Sequence, residues 1–366
     1  MNQPTPAIVA QSAVRRLPRL ALLLFCGAYV FSGFVGREPW KNQDIMALGY
    51  MLELAQGRSS WFDPTLLGFP PEFDALLPYW LGAWAIQLAP SWLAPDFAVR
   101  IPYIGLLVLT LASAWYGVYY LARTPGAQPV PFAFGGEAHP TDYARAIADG
   151  GLLALIACLG LMQLSHETTP SLAQLGCTAL AFFGLAALPY RPVAAAVALA
   201  CGLVGLGLSG APAMATLFAA GGAILHYADG PQDAGADARG WRGALLIVLV
   251  ALFAAGIAAA VDTWHWRLGF QPMAPVRDWT SVGRLLVWFT WPAWPLALWT
   301  IWRWRRQLGS RHVALPLWFA VVGLATAVLS PNSDRALLLA LPALATLAAF
   351  ALPTFERSVS ALIDWF

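Results

Sequence analysis

Ten apolar runs along this chain are long enough, or nearly long enough, to cross a lipid bilayer: 17–36, 99–122, 148–164, 171–189, 193–209, 211–227, 242–262, 284–302, 313–330 and 335–353. A helical crossing takes about 20 mostly apolar residues. In hydrocarbon a backbone polar group finds no water, so a single spanning segment must close its own hydrogen bonds, which makes it a helix. The expected fold class is therefore all-α: a polytopic transmembrane bundle of about ten spans, with 1–366 forming one membrane domain. Composition agrees, with 59% hydrophobic and only 11% charged residues, where a soluble domain carries about 25% charged. A net charge of +2 gives no electrostatic footprint for a nucleic-acid partner. The four cysteines, Cys26, Cys158, Cys177 and Cys201, each lie within an apolar run and show no metal-ligand spacing, as expected of small residues packed between helices.

Arg15, Arg16 and Arg19 precede the first run as they would in a secretory signal, but the run passes into Phe34-Val35-Gly36-Arg37-Glu38 instead of a small-residue cleavage site. It reads as a retained first helix that also targets the chain. The segment 78–93 is too short to cross, and its three tryptophans favour the membrane–water boundary, so it reads as a helix lying on the surface. Charge tests that choice. With the N-terminus in the cytoplasm, thirteen of the 21 Lys and Arg residues fall in cytoplasmic segments, among them Arg303, Arg305, Arg306 and Arg311 in one short loop. That is the bias the positive-inside rule requires, and a crossing at 78–93 would reverse it.

Two outer loops result, 37–98 and 263–283. The first opens with Glu38 and Asp44 at the start of a segment in which Ile45, Leu48 and Leu52 recur at helical spacing, with Met51 and Ala55 beside them, the pattern of an amphipathic helix on the bilayer. A carboxylate there serves either as a base toward an acceptor hydroxyl or amine, or only as a favourable charge and cap at a helix N-terminus. The spacing does not separate the two readings. The second outer loop carries Trp264-His265-Trp266-Arg267, which reads as an interfacial aromatic belt. Segments 124–146 and 228–241 read as cytoplasmic linkers, and no internal repeat of the kind that builds many transporters is visible.

Several motifs together resemble a known family. The first span followed by Arg37-Glu38-Pro39-Trp40 and Asp44, then Pro70-Pro71, then Pro78-Tyr79-Trp80-Leu81-Gly82-Ala83, then Ala98-Val99-Arg100-Ile101-Pro102, and late in the chain Arg335 with Leu341-Pro342-Ala343-Leu344, resembles the GT-C glycosyltransferases. The nearest branch is the aminoarabinose transferase and protein O-mannosyltransferase-like group. The resemblance implies a polyprenyl-phosphate-linked sugar donor, a site at the outer (periplasmic) face of a bacterial inner membrane, and an essential early carboxylate at Asp44. It also implies a second acidic residue where the third span emerges, which is Glu167 in Ser165-His166-Glu167-Thr168-Thr169-Pro170. The family's usual basic residue before Pro-Pro is absent here, where Leu67-Gly68-Phe69 precede Pro70. Related enzymes also run past this length, and the chain reaches Phe366 in what reads as the lead-in to a further helix.

A phosphate donor needs cations, and arginine suits bidentate phosphate contacts. Arg335 is the expected partner of the lipid phosphate, the other reading being an interfacial anchor or a partner for Asp334. Glu38, Lys41, Tyr79, His166 and Arg267 complete the expected substrate contacts. Asp44, Glu72, Asp74, His166, Glu167 and His265 offer ligands for a divalent metal, but without ligand spacing no metal or other cofactor is assigned. The expected activity is inverting transfer of a sugar to a lipid, glycan or protein acceptor, with Asp44 and Glu167 as the catalytic carboxylates. The alternative is a non-catalytic membrane subunit or lipid-binding protein that keeps the fold without the chemistry.

Overall fold

A computed structural model describes residues 5–14, 17–71, 74–228, 237–264, 279–329 and 333–355. Among them the chain forms fifteen α-helices and no strand. The first five are α1 (Arg19–Phe34), α2 (Asn42–Ala55), α3 (Leu77–Leu88), α4 (Pro95–Ala122) and α5 (Pro140–Ala157). Then come α6 (Leu159–Leu164), α7 (Pro170–Ala187), α8 (Pro192–Leu208), α9 (Pro212–Ala228) and α10 (Asp237–Ala260). The last are α11 (Trp279–Phe289), α12 (Ala293–Arg303), α13 (Arg311–Leu329), α14 (Ser333–Leu338) and α15 (Leu341–Ala349).

All ten apolar runs are helical, and three of them are interrupted. The run 148–164 divides at Cys158, 284–302 divides between Phe289 and Ala293, and 335–353 divides between Leu338 and Leu341. Five segments are long and apolar enough to span a bilayer, while Arg19–Phe34 and Pro192–Leu208 are shorter apolar helices. A break inside a span frees backbone groups that lipid cannot satisfy. Two of the breaks solve this together: the Leu159 N–H donates to the Trp291 carbonyl at 3.1 Å, joining the α5–α6 break to the α11–α12 break.

The segment 124–146, expected to be a linker, is helical from Pro140 onward, so α5 begins before the expected span. Asp142, Arg145 and Asp149 hide that onset from a hydropathy reading. Asp149 is tolerated because its carboxylate accepts from the Trp115 indole at 2.8 Å and the Leu17 N–H at 3.3 Å.

The buried centre of the bundle is α7, packed between α4 and α8. Close approach to α8 depends on glycine: a Cβ at Gly202 would stand 2.6 Å from the Ala181 N and 2.8 Å from the Cys177 carbonyl, both backbone atoms. Ala198 one turn earlier completes a small-residue stripe of the type that lets membrane helices touch.

Segments α2 and α3 lie against each other beside the bundle. Met51 packs over Gly82, Tyr103 of α4 donates to the Pro78 carbonyl at 3.0 Å, and the Trp80 indole donates to Trp61 O at 2.6 Å. At 12 residues, α3 is about 18 Å long, too short to span. In α2 the buried side is Asp44, Ala47, Tyr50, Met51 and Leu54, while Ile45 is exposed and Leu48 and Leu52 are only partly covered. Of the apolar stripe legible in the sequence, Ile45 faces outward while Leu48 packs against the core, and Asp44 lies one turn before Leu48 on the side toward protein.

Replacing Gly202 by alanine should destabilise the protein by about 1–3 kcal/mol, because the backbone of α7 has to move. Gly256→Ala, at a position where a Cβ meets nothing within 4 Å, should not. Thermal unfolding midpoints of the two variants in the same detergent check this.

Candidate functional site

The segment Ser165–Thr169, between α6 and α7, is the hub of a buried polar cluster near the C-terminal end of α1. Glu167 has a side chain only 1% exposed. Its Oε1 accepts from the Lys41 ammonium at 2.5 Å, and its Oε2 lies 3.0 Å from the Arg335 guanidinium, an ionic contact whose orientation leaves Oε2 without a directed hydrogen bond. Lys41 also donates to the Gln163 carbonyl at 3.1 Å, and Arg335 to Thr169 Oγ1 at 3.3 Å. Lys41 immediately precedes α2, and Arg335 comes from α14. One carboxylate therefore draws together three distant parts of the chain.

Asp44 is the neighbouring carboxylate. Its Oδ1 accepts from both the backbone N–H and the hydroxyl of Thr168, each at 2.7 Å, and its Oδ2 lies 3.6 Å from the Arg37 guanidinium. No N–H of α2 donates to it, so the capping reading has no hydrogen bond behind it, although Asp44 does lie in the first turn. Arg37 donates in addition to the His166 carbonyl at 3.1 Å. Counting Arg37, Lys41 and Arg335 against Asp44 and Glu167, the cluster carries one more cation than carboxylate. That surplus suits it to an additional anion.

The other expected residues divide. Arg335 points to Glu167, while among the described residues Asp334 accepts from the backbone N–H of Arg335, so the expected alternative of an Asp334–Arg335 side-chain pair is not what forms. His166 turns into α1: Nε2 bonds Tyr29 O at 3.0 Å, Nδ1 bonds Ser165 Oγ at 3.3 Å, and the ring packs between Tyr29 and Phe34 over Gly33. Tyr79 is buried with its ring 5.3 Å from that of Tyr50, further along the same face of α2 that carries Asp44. Glu38 is exposed on the link between α1 and α2. Arg267, Glu72 and His265 lie outside the described residues, as does most of the loop 263–283. Among the described residues no three His, Cys, Asp or Glu side chains gather into a metal-binding group.

No protein-family model and no curated protein sequence matches the chain. Solved structures do. The crystal structure of ArnT from Cupriavidus metallidurans bound to undecaprenyl phosphate superposes with a TM-score of 0.65 at 14% identity, over 94% of this chain and 62% of that one. Apo ArnT from the same organism gives 0.63 at 13%, with the same coverage. The chain has the GT-C fold. It is accordingly a multi-pass membrane protein, and it spans 62% of the length of the ArnT chains it matches. The helical bundle expected from the sequence is present, and the segment 37–98 contains the two short helices α2 and α3.

Within this GT-C fold, Thr168 and Arg37 are the residues that sequence reasoning passed over as site members. The signal for Thr168 was Thr168-Thr169-Pro170, a polar pair before a proline-started helix, which fixes the segment that reaches across to Asp44. For Arg37 the sequence showed only one of several outer cations.

Removing the charge of Glu167 leaves Lys41 and Arg335 facing each other without a counter-ion. Glu167→Gln should cost roughly 3–5 kcal/mol, the usual penalty for breaking one partner of a buried ion pair. Asp44→Asn, which keeps an oxygen for Thr168 and loses only a long contact to a partly exposed arginine, should change stability far less. Unfolding midpoints of the two variants measured side by side check the difference.

Burial holds the His166 imidazole below its ordinary 6.5, and the nearby Arg37 guanidinium adds to this, against two backbone contacts that favour the charged form. The folded protein therefore prefers neutral His166. Its contribution to stability is fully present above about pH 6.5 and is lost as the pH falls through the lowered folded value. The loss of thermal stability between about pH 7.5 and 5.5 should accordingly be smaller in His166→Gln than in the unmodified protein.

Proposed function

We propose that the protein is an inverting glycosyltransferase that moves a sugar from a polyprenyl-phosphate donor to a lipid, glycan or protein acceptor. Its site is the Asp44–Glu167 cluster, on the periplasmic side of a bacterial inner membrane. The observation that carries this reading is the cluster itself: two buried carboxylates and three cations, at the outer end of the first span, in a chain whose fold matches a polyprenyl-phosphate-bound ArnT.

Each group has a part in the chemistry. Thr168 occupies Oδ1 of Asp44 with two hydrogen bonds, leaving Oδ2, whose contact with Arg37 is a longer 3.6 Å, as the oxygen that takes a proton. The acceptor oxygen or nitrogen attacks the anomeric carbon as its proton passes to Asp44 Oδ2. The bond from that carbon to the phosphate oxygen breaks, and the electron pair leaves with the polyprenyl phosphate. Lys41, Arg37 and Arg335 supply the positive field in which that anion is most stable. Glu167 holds Lys41 and Arg335 in place until the donor phosphate competes for them. The excess of Lys and Arg in the segments read as cytoplasmic supports the outward-facing orientation.

Asp44→Asn should lower transfer by about 10²–10⁴-fold, the usual loss on removing a general base, or roughly 3–5 kcal/mol in barrier. Donor binding should persist. Arg335→Ala should instead weaken donor binding, since it acts before the reaction begins. Both are read from transfer rates in proteoliposomes carrying a polyprenyl-phosphate sugar. Near-normal transfer by Asp44→Asn removes the base role. Failure of the unmodified protein to bind any polyprenyl-phosphate sugar favours the non-catalytic alternative.

A further inference from the structure

A second site lies at the other end of α1. That helix touches the bundle mainly near its outer end, where Val30 and Phe34 are its buried residues. Toward its start, Leu20, Leu23 and Leu24 are 64–69% exposed. The helix splays from α4 and α5 and leaves a cavity of about 710 Å³ between them, lined by Leu23, Gly27 and Phe31 of α1, Val108 and Leu111 of α4, and Leu152 of α5. The volume is within the ~300–1,000 Å³ of ligand pockets. Water gains no hydrogen bonds along such a wall, so in a bilayer a hydrocarbon chain is the favoured filling.

One end of the cavity is polar. Arg19 and Arg145 line it, and neither has a hydrogen bond or ion pair among the described residues. The adjacent carboxylate, Asp149, is buried with both oxygens engaged by Trp115 and by the Leu17 N–H. Two unpaired guanidinium groups therefore face one carboxylate that is already committed, and the mouth has a surplus positive charge. Trp115 and Tyr119 stack at 5.5 Å with their planes 6° apart and line the same end, the usual depth for aromatic rings in a membrane. The sixteen residues of α1 put this mouth about 24 Å from the outer end, where Arg100 bonds Phe34 O. It opens on the opposite leaflet from the Asp44–Glu167 cluster.

We infer that the groove between α1, α4 and α5 binds an anionic phospholipid of that leaflet, its phosphate on Arg19 and Arg145 and one acyl chain along the apolar wall. The match is one of charge and shape together: a single anionic head at a mouth with surplus cation, and an apolar channel running inward from it. Guanidinium groups suit phosphate contacts, and a zwitterionic head of the same size would gain less from the same mouth.

The test uses the purified full chain in neutral detergent, with bound lipid read by native mass spectrometry from equimolar phosphatidylglycerol and phosphatidylcholine. Retention should favour phosphatidylglycerol several-fold. The preference should disappear in the Arg19→Gln/Arg145→Gln double variant, whose fold is not at stake because neither side chain has a protein partner among the described residues. Gly27→Leu should weaken retention of both lipids, because a Cβ at Gly27 meets nothing within 4 Å and the side chain enters the empty groove. The chain-free headgroup, glycerophosphoglycerol, should not displace bound lipid. The inference is overturned if the double variant keeps the preference, if Gly27→Leu retains lipid fully, or if the headgroup alone competes. It is also overturned if polyprenyl phosphate displaces phosphatidylglycerol at equal concentration, which would assign the groove to the donor's tail. None of these readings depends on transferase activity.

Discussion

A carboxylate as deeply buried as Glu167 is stable only with cations held against it, because the desolvation of its charge costs several kcal/mol before any pairing is counted. Lys41 and Arg335 provide them at 2.5 and 3.0 Å. The start of α2, the Ser165–Thr169 segment and α14 are therefore fixed relative to one another. Thr168, between Glu167 and Thr169, passes that order on to Asp44 through two hydrogen bonds. The position of the surface helix α2 against the bundle is in this sense a consequence of one buried charge. So is the geometry of any chemistry performed there, since the cations that hold Glu167 are the same ones an incoming anion would meet.

The second constraint is the backbone. A span without interruptions satisfies itself, but this chain interrupts three of its apolar runs, and the groups so released must find protein partners. The Leu159–Trp291 hydrogen bond shows one solution, in which two interrupted spans meet at their breaks. Interruption also frees short helices to end where function needs them. Because α6 stops at Leu164, the polar segment Ser165–Thr169 turns back and is buried against the bundle. Close glycine contacts between α7 and α8 keep the centre of the bundle narrow enough for these peripheral pieces to reach each other.

The two ends of α1 differ in consequence. Its outer end is tied down by Arg100 on Phe34 O and by His166 on Tyr29 O, and it belongs to the polar cluster. Toward its other end, the Leu17 N–H bonds Asp149, Leu22 and Cys26 pack against the core, and Leu20, Leu23 and Leu24 are exposed. A single helix thus joins a charge-rich, protein-walled site to the largely apolar groove between α1, α4 and α5.

Hydropathy by itself determined the all-helical class of this protein and the position of its apolar runs. Those features follow from the transfer free energy of each residue between water and lipid, which the sequence reports locally. The motifs around Asp44, Glu167 and Arg335 also identified the polar residues that the fold later gathers. What the sequence left open was their mutual geometry. The stripe Ile45, Leu48 and Leu52 gave the helical period of α2, but only packing showed that Asp44, with Ala47, Tyr50, Met51 and Leu54, lies on its buried side. The capping alternative, the pairing of Arg335 with Glu167 instead of Asp334, the turning of His166 into α1 and the roles of Thr168 and Arg37 were likewise decided by the tertiary structure. The partners concerned are 124 residues apart for Asp44 and Thr168, 126 for Lys41 and Glu167, and 166 for Arg335 and Thr169. Electrostatic pairing and desolvation act through distance in space, and no local period in the chain encodes which distant charge will arrive at a buried carboxylate.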